Sequence, residues 1–506
     1  MKQLIYQMLP RLWGNGKFSG VDAGFLAYVK GLGVDCIWYT GLIRHATRKA
    51  DGGCTPSPIV KGDAGSPYAI TDYYDVNPYL ADVPEHRMEE FLQLVDRTHT
   101  AGLKLLMDFV PNHVARDYCS HAAPAGIRSL GEGDDTSVHW SPENDFFYYP
   151  GEELQLPFPT DYREMPAKAS VNAFTSAPGI NDWYETVRIN YCDFHTRTWD
   201  KMYEIVRFWA LKGVDGFRCD MVELVPPAFM KWLIARIKSE FPAGVFIAVV
   251  YEKEKYRMYV EEVGFDLLYD KSGLYDTLRS VTCSGLTAQA ISWNWQFLDH
   301  LQPKMLNFLE NHDEQRLASD FFAGSPEAGY AALGVSLLLN TAPFMLYFRQ
   351  EVGEPGMDAE GFSGRDGRTT IFDWWKVASL ERLCQYIHGR GAGLEPHEKS
   401  VLHRYRAALA LSKLPAVARG KTFDLGYCQQ EDFQRDRHFA FLRSDGTEIW
   451  LVVANFDGRE AEITVRFPEE AFAWFGLPGP SRPAKPKMPA SWTGRVTGKD
   501  FLAIRL

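Results

Sequence analysis

Short apolar runs punctuate the first 350 residues: 4–8, 35–39, 103–110, 214–219, 245–251, 266–269, 305–309 and 343–348. They are rich in Ile, Val, Leu, Phe and Tyr and lack strict alternation, the pattern of strands covered on both faces. Between them lie stretches with helical spacing. Residues 88–101 place Phe91, Leu92, Val95 and His99 on one face. Residues 199–211 do the same with Met202, Ile205, Val206 and Trp209, and 228–241 with Phe229, Trp232, Leu233, Ile237 and Phe241. Strand–helix alternation repeated about eight times predicts an α/β protein built on a (β/α)8 TIM barrel.

Two intervals break the rhythm. Residues 114–190 carry turn residues and aromatics with no strand–helix repeat, which predicts an inserted subdomain after the third strand. After a helical stretch near 397–411, alternating segments at 438–443, 448–456 and 462–467 are separated by turn signals, the mark of antiparallel strands. The expected organisation is a barrel from 1–113 and 191–415, an insertion at 114–190 and an antiparallel β-domain at 416–506. The Pro-rich segment 478–491 reads as a loop within that last domain.

Composition narrows the class. Of 506 residues 46% are hydrophobic and 24% charged, which excludes a disordered or fibrous chain. The net charge of −11 argues against nucleic acid as a partner, since phosphate binding needs clustered Lys and Arg. No run approaches the ~18 apolar residues of a membrane span. The N-terminal segment reads as a first strand, not a signal peptide, so a cytoplasmic protein is expected. The eight Cys are scattered with no CxxC, which reads as buried reduced thiols.

Four segments put polar groups where barrel strands should end, the rim that carries the site in such barrels. They are Asp108-Phe-Val-Pro-Asn112-His113, Gly216-Phe-Arg218-Cys-Asp220, Asn307-Phe-Leu-Glu-Asn-His312-Asp313, and the loop Ser66-Pro-Tyr68-Ala-Ile-Thr-Asp-Tyr-Tyr74. Arg218 and Asp220, two apart on a strand, share a face. An Arg beside an Asp keeps the carboxylate ionised, as a nucleophile requires. In this order and at these intervals the four motifs resemble the conserved regions of the α-amylase family of glycoside hydrolases, over nearly the whole chain.

The resemblance implies roles. Asp220 would be the nucleophile that forms a covalent glycosyl-enzyme, and Arg218 would hold it. Asp313 would stabilise the oxocarbenium-like transition state. His113 and His312 would hydrogen-bond the sugar, Tyr68 would stack on it, and Asp108 would organise the rim. The implied substrate is an α-1,4-glucan or malto-oligosaccharide, with transglycosylation as the near relative of hydrolysis. The oligomeric state is not legible.

Two positions depart from the family pattern. The family's general acid is a Glu at the end of strand five, and here that Glu aligns with Val249. Valine cannot donate a proton, and acid–base assistance is worth ~10²–10⁴-fold. Glu252 lies three residues on, on the other face and ~10 Å along the chain. Glu223 sits where many family members have Lys, which suggests a substrate contact and not an acid. A non-catalytic, carbohydrate-binding member of the family is therefore the alternative reading. Arg349 stands where the family has the Gly of Gly-Gln-Glu, so it is expected either to be strained or to project into the cleft. The resemblance also raises a structural Ca²⁺ between barrel and insertion, with Asn112 in the family's Asn position. Asp134, Asp135, Glu143 and Asp145 would supply oxygens, and solvated loop carboxylates are the other reading.

Overall fold

The computed structural model describes residues 2–48, 56–359, 364–477 and 490–506. Eight parallel strands close into a barrel: β1 (Leu4–Met8), β2 (Cys36–Tyr39), β3 (Lys104–Phe109), β4 (Gly216–Cys219), β5 (Val245–Ala248), β6 (Leu267–Tyr269), β7 (Met305–Phe308) and β8 (Phe344–Tyr347). All but the first residues of β3 and β5 are buried, because side chains fill the interior and helices cover the outside. Each apolar run therefore became a strand, 4–8 without change and the others trimmed by one to three residues at one end or both.

The outer ring includes α1 (Ala23–Gly31), α2 (Arg87–Thr100), α3 (Arg197–Leu211), α4 (Pro227–Glu240), α5 (Asp276–Thr282), α6 (Gln289–Leu298), α7 (Tyr330–Leu338), α8 (Ala378–Ile387) and α9 (Pro396–Ser412). In α3 the expected residues Met202, Ile205, Val206 and Trp209 are buried. In α2 the face is corrected. It buries Phe91, Leu94, Val95 and Thr98, the i, i+3, i+4, i+7 stripe of a regular helix. Leu92 lies a step off that stripe and is exposed, and His99 turns outward to Asp215 at 2.8 Å.

The insertion is mostly loop, tied down by two short pairings. His113–Ala115 pairs with Thr186–Arg188, and Tyr148–Tyr149 with Ala167–Lys168. Beyond the barrel, β9 (Lys421–Asp424), β10 (His438–Ser444), β11 (Ile449–Asn455) and β14 (Phe501–Arg505) form an antiparallel sheet. A ribbon of β12 (Ala461–Arg466) and β13 (Ser491–Val496) packs with it around Leu442, Leu451, Val453, Ile463 and Phe472. Arg443, buried on β10, joins this domain to the barrel by donating to the carbonyl of Leu339 at 3.0 Å. Residues 478–489 of the Pro-rich segment lie outside the described residues, and Ser491 already belongs to β13. The seven described cysteines are free, although Cys119 and Cys283 are exposed, not buried. No helix among the described residues is long and apolar enough to cross a membrane.

Arg349 is strained and does not reach the cleft. Its φ is 71°, a left-handed conformation costing an L-residue roughly 1–2 kcal/mol. The side chain is fully buried, stacks 4.7 Å over Phe348, donates to Thr369 Oγ1 at 3.0 Å and lies 3.6 Å from Glu354. Those contacts offset the backbone cost.

The loop bearing Tyr68 depends on one close approach. At Gly65, φ is +71° and a Cβ would sit 1.8 Å from the carbonyl oxygen of Ala46. Gly65→Ala is expected to cost at least about 2 kcal/mol in denaturant unfolding, by forcing that loop away from the strand it crosses. An unchanged midpoint would show that the loop is free to move.

Candidate active site

The site grows out of the register of three neighbouring strands. On β4, Arg218 lies directly opposite Asp108 of β3, and Cys219 lies opposite both Phe109 of β3 and Ala248 of β5. The chain leaves β4 with the Asp220 amide bonded to Phe109 O at 2.9 Å. Alternation on the strand then aims the side chains of Arg218 and Asp220 the same way. Arg218 Nη1 donates to Asp220 Oδ1 at 2.8 Å and lies 3.5 Å from Asp108 Oδ1, while Nη2 is 4.0 Å from Asp313 Oδ2. The guanidinium is 2% exposed, so burial opposes its charge, but the surrounding tyrosines and carboxylates hold it well above its ordinary value. Trp38, Tyr68 and Tyr269 present their rings to it at 5.3, 5.3 and 5.6 Å.

Asp313 comes from the loop after β7. Asn311 Oδ1 accepts the amides of Asp313 and Glu314 at 2.8 and 2.9 Å, and Arg368 Nε donates to the Asp313 carbonyl at 2.8 Å. Its carboxylate is 39% exposed and lies 3.1 Å from His312 Nε2. Burial keeps His312 neutral, well below its ordinary pKa. With Nε2–H facing the carboxylate, Nδ1 accepts from Gln7 Nε2 at 2.8 Å. The same Nε2 lies 2.6 Å from the Tyr68 hydroxyl, which is 3.5 Å from Asp108 Oδ1. Trp38 Nε1 donates to the other Asp108 oxygen at 3.2 Å. One chain of contacts thus joins Gln7, His312, Tyr68 and Asp108. Burial pushes the Asp108 carboxyl up to about 7 against the pull of Arg218. His113 sits across the site, buried edge-on to Trp183 and pushed down to about 4 by desolvation.

Val249 follows β5 at the level of Asp220, one residue beyond the Cys219–Ala248 pairing. Its amide bonds Cys219 O at 3.3 Å and its side chain is 3% exposed within the core. Glu252 points to solvent and pairs with Lys255 at 2.7 Å. Glu223 has a different use from the expected substrate contact. Its two oxygens accept the amides of Tyr251 and Glu252 at 2.8 and 3.2 Å, which fixes the segment leaving β5. Sequence reasoning missed Tyr251, Trp38 and Gln7. Tyr251 is half-exposed, and burial together with Asp313 raises its phenol, so it is a hydrogen-bond donor and not an acid at neutral pH. An aromatic two residues past the acid position was the available signal. Nothing in the sequence pairs Gln7 with His312, 305 residues apart.

The residues offered for calcium do not fit an ion. Asp145 is paired with Arg128 through both guanidinium ends and also takes Thr198 Oγ1 at 2.9 Å. Asp134 is paired with Arg197 and takes the Tyr148 hydroxyl at 2.9 Å. Asp135 is bonded to Ser137, Glu143 is exposed, and Asn112 Nδ2 faces His113 Nδ1 at 3.3 Å. Among the described residues no group of three or more His, Cys, Asp or Glu could hold a metal.

The carboxyl rim of a (β/α)8 barrel, where such folds keep their sites, here gathers three Asp around one Arg, flanked by neutral histidines and a tyrosine. Residues 12–242 match the family described as alpha amylase, catalytic domain. The chain is 23% identical over 419 residues to Alpha-amylase 3 of Dictyoglomus thermophilum, covering 78% of this chain and 73% of that one. It is 24% identical over 543 residues to a probable alpha-glucosidase of Rhizobium meliloti, covering 90% and 89%. A noncanonic maltogenic alpha-amylase from Thermotoga neapolitana shares the fold at a TM-score of 0.63 and 19% identity, covering 100% of this chain and 96% of that one. Residues 12–242 therefore resemble the catalytic domain of the α-amylase family of glycoside hydrolases, and relatives named alpha-amylase and alpha-glucosidase extend the likeness over most of the chain.

Two expectations follow. Asp108 holds a proton in the folded state that the unfolded chain, with a value near 3.9, has already released. Its contribution to stability is full below about pH 4 and is lost as pH rises through about 7. Asp108→Asn should therefore gain on the parent by up to about 1.4 kcal/mol per pH unit across that window and by nothing further above it, read by denaturation at each pH. A pH-independent difference would mean that Asp108 is ionised throughout. Secondly, EDTA should leave the melting temperature unchanged; a fall of more than about 3 °C would show that a cation stabilises the fold.

Proposed function

We propose that the chain is an α-retaining enzyme acting on α-1,4-glucans or malto-oligosaccharides, working through a glycosyl ester on Asp220 and lacking a general acid. The observation that carries this reading is Val249, an apolar, buried residue level with Asp220 on the neighbouring strand, one residue past the Cys219–Ala248 pairing. Two carboxyl groups ~5–5.5 Å apart ordinarily flank the bond in a retaining enzyme. On this reading Val249 stands in place of one of the pair, and Asp220 held by Arg218 is the other.

Asp220 Oδ would attack the anomeric carbon as the bond to the leaving oxygen breaks, with that oxygen taking the electron pair. Asp313 faces the forming positive charge, oriented by the one N–H of the neutral His312, and the neutral His113 donates to a sugar hydroxyl. Without an acid at 249, a sugar alkoxide has to leave unprotonated, which slows the first step by ~10²–10⁴-fold. The second step suffers too, since the same group would serve as base toward water. A substrate with a stable anionic leaving group bypasses the first defect only. The same vacancy favours the alternative of a carbohydrate-binding member of the family that turns over nothing.

α-Maltosyl fluoride should release a burst of fluoride close to one per chain, followed by slow turnover, while maltoheptaose is barely cleaved. Asp220→Asn should abolish the burst. Val249→Glu should raise maltoheptaose hydrolysis at least ~10²-fold. Binding of maltoheptaose with no fluoride burst would favour the binding protein. No gain in Val249→Glu would overturn the assignment of position 249.

A further inference from the structure

Away from the rim, α6 and the C-terminal domain enclose a cavity of about 520 Å³ that shares no residue with the carboxylate site. Its size falls within the range of small-molecule sites. Three large rings stand at its mouth with half or more of their surface in solvent: Trp293 of α6 at 62%, Tyr427 at 59% and Trp474 at 52%. Such rings are normally withdrawn from water, and three around one hollow make a ligand surface.

The floor supplies polar groups without partners. His438, the first residue of β10, lines the cavity at 4% exposure, and neither of its ring nitrogens has a hydrogen-bond partner. Trp295 Nε1, from the α6 side, is also buried without a partner. A buried polar atom calls for a partner, and an occupant of this cavity that reached past the rings is one way to supply it to these three. Burial keeps the imidazole neutral. It therefore offers one donor and one acceptor, which point away from each other from opposite edges of the ring, so that one ligand hydroxyl can meet one of them.

The charged groups nearby are already engaged. Asp424 accepts the Gly426 amide at 2.8 Å and bonds Ser292. Arg435 donates to the Gln429 carbonyl, and the Lys421 ammonium lies 4.9 Å over Trp474. A neutral ligand fits better than an anion. A more open hollow shares Gln289, Phe433 and Arg435 with the first, so the surface continues beyond one or two sugar rings.

We infer that this cavity is a second, non-catalytic carbohydrate site that takes a neutral pyranose chain, its rings stacked on Trp293, Tyr427 and Trp474 and a hydroxyl bonded to His438. That the chain is an α-1,4-glucan rests on the proposed function of the barrel site. A site at this place would hold polysaccharide against the molecule independently of turnover at Asp220.

The test is affinity electrophoresis of the full chain in native gels containing amylopectin, or a β-glucan as control, with α-maltosyl fluoride consumption measured in parallel. Amylopectin should retard the parent. Trp293→Ala with Tyr427→Ala should weaken that retardation at least about tenfold with fluoride consumption unchanged. His438→Leu should weaken it as well without lowering the melting temperature, since it removes an unsatisfied polar group. Unaltered retardation in these variants, or no retardation of the parent, overturns the site. Retardation by the β-glucan alone overturns the choice of α-glucan. Concentration-dependent self-association lost in Trp293→Ala, with no sugar dependence, would assign the surface to a second copy and overturn the proposal. Failure of the parent to consume fluoride would overturn the barrel reading only, since retardation and its loss in the variants report on this cavity by themselves.

Discussion

A guanidinium almost wholly removed from water sits between three carboxylates, and the rim of the barrel is arranged around it. Arg218 touches Asp220, reaches Asp108 across the strand pair and Asp313 across the barrel mouth, and is boxed by three aromatic rings. Removing such a charge leaves its partners buried and uncompensated, a loss of roughly 3–5 kcal/mol. The strand register makes this possible: once Arg218 pairs with Asp108, Asp220 can only emerge at the top of β4. The neutral histidines complete the arrangement, because a second buried cation beside Arg218 would compete for the same carboxylates.

That network does not involve residue 249. Val249 belongs to the core by burial and to β4 by one backbone hydrogen bond, and neither interaction needs a carboxyl group. The proposed loss of the acid therefore leaves the nucleophile, its arginine and the opposing aspartate in position. Nor does the loop after β5 relax, since Glu223 holds its amides. On the proposed reading the chemistry and the architecture are separable, so that this arrangement of Asp220, Arg218 and Asp313 can persist without a proton donor at 249.

The barrel was legible because strands buried on both faces leave unbroken apolar runs, and the rim motifs followed because polar residues closing such runs have nowhere else to go. Other features depended on partners far away in sequence. Leu92 and His99 fell on the wrong face because one helical turn admits two neighbouring stripes, and only packing chooses between them. Glu223 reads as a substrate contact in the sequence, because its bonds are to amides of a loop 28 and 29 residues further on. The carboxylates of the insertion suggested a cation, yet Arg128 and Arg197 supply the positive charge, and their approach from other segments leaves no spacing to read. Arg349 shows the same limit, since its backbone strain was expected but its burial against Glu354 and Thr369 was not.

The central claim is that bond cleavage at Asp220 proceeds without proton donation. Its most direct measurement is kcat/KM for a series of aryl α-maltosides whose phenols differ in pKa. Without an acid, the rate has to fall steeply and log-linearly as the phenol becomes more basic, because the full negative charge develops on the leaving oxygen. That steep negative slope is the predicted result. A flat line across the series would mean that a proton is delivered in the transition state, and would contradict the account.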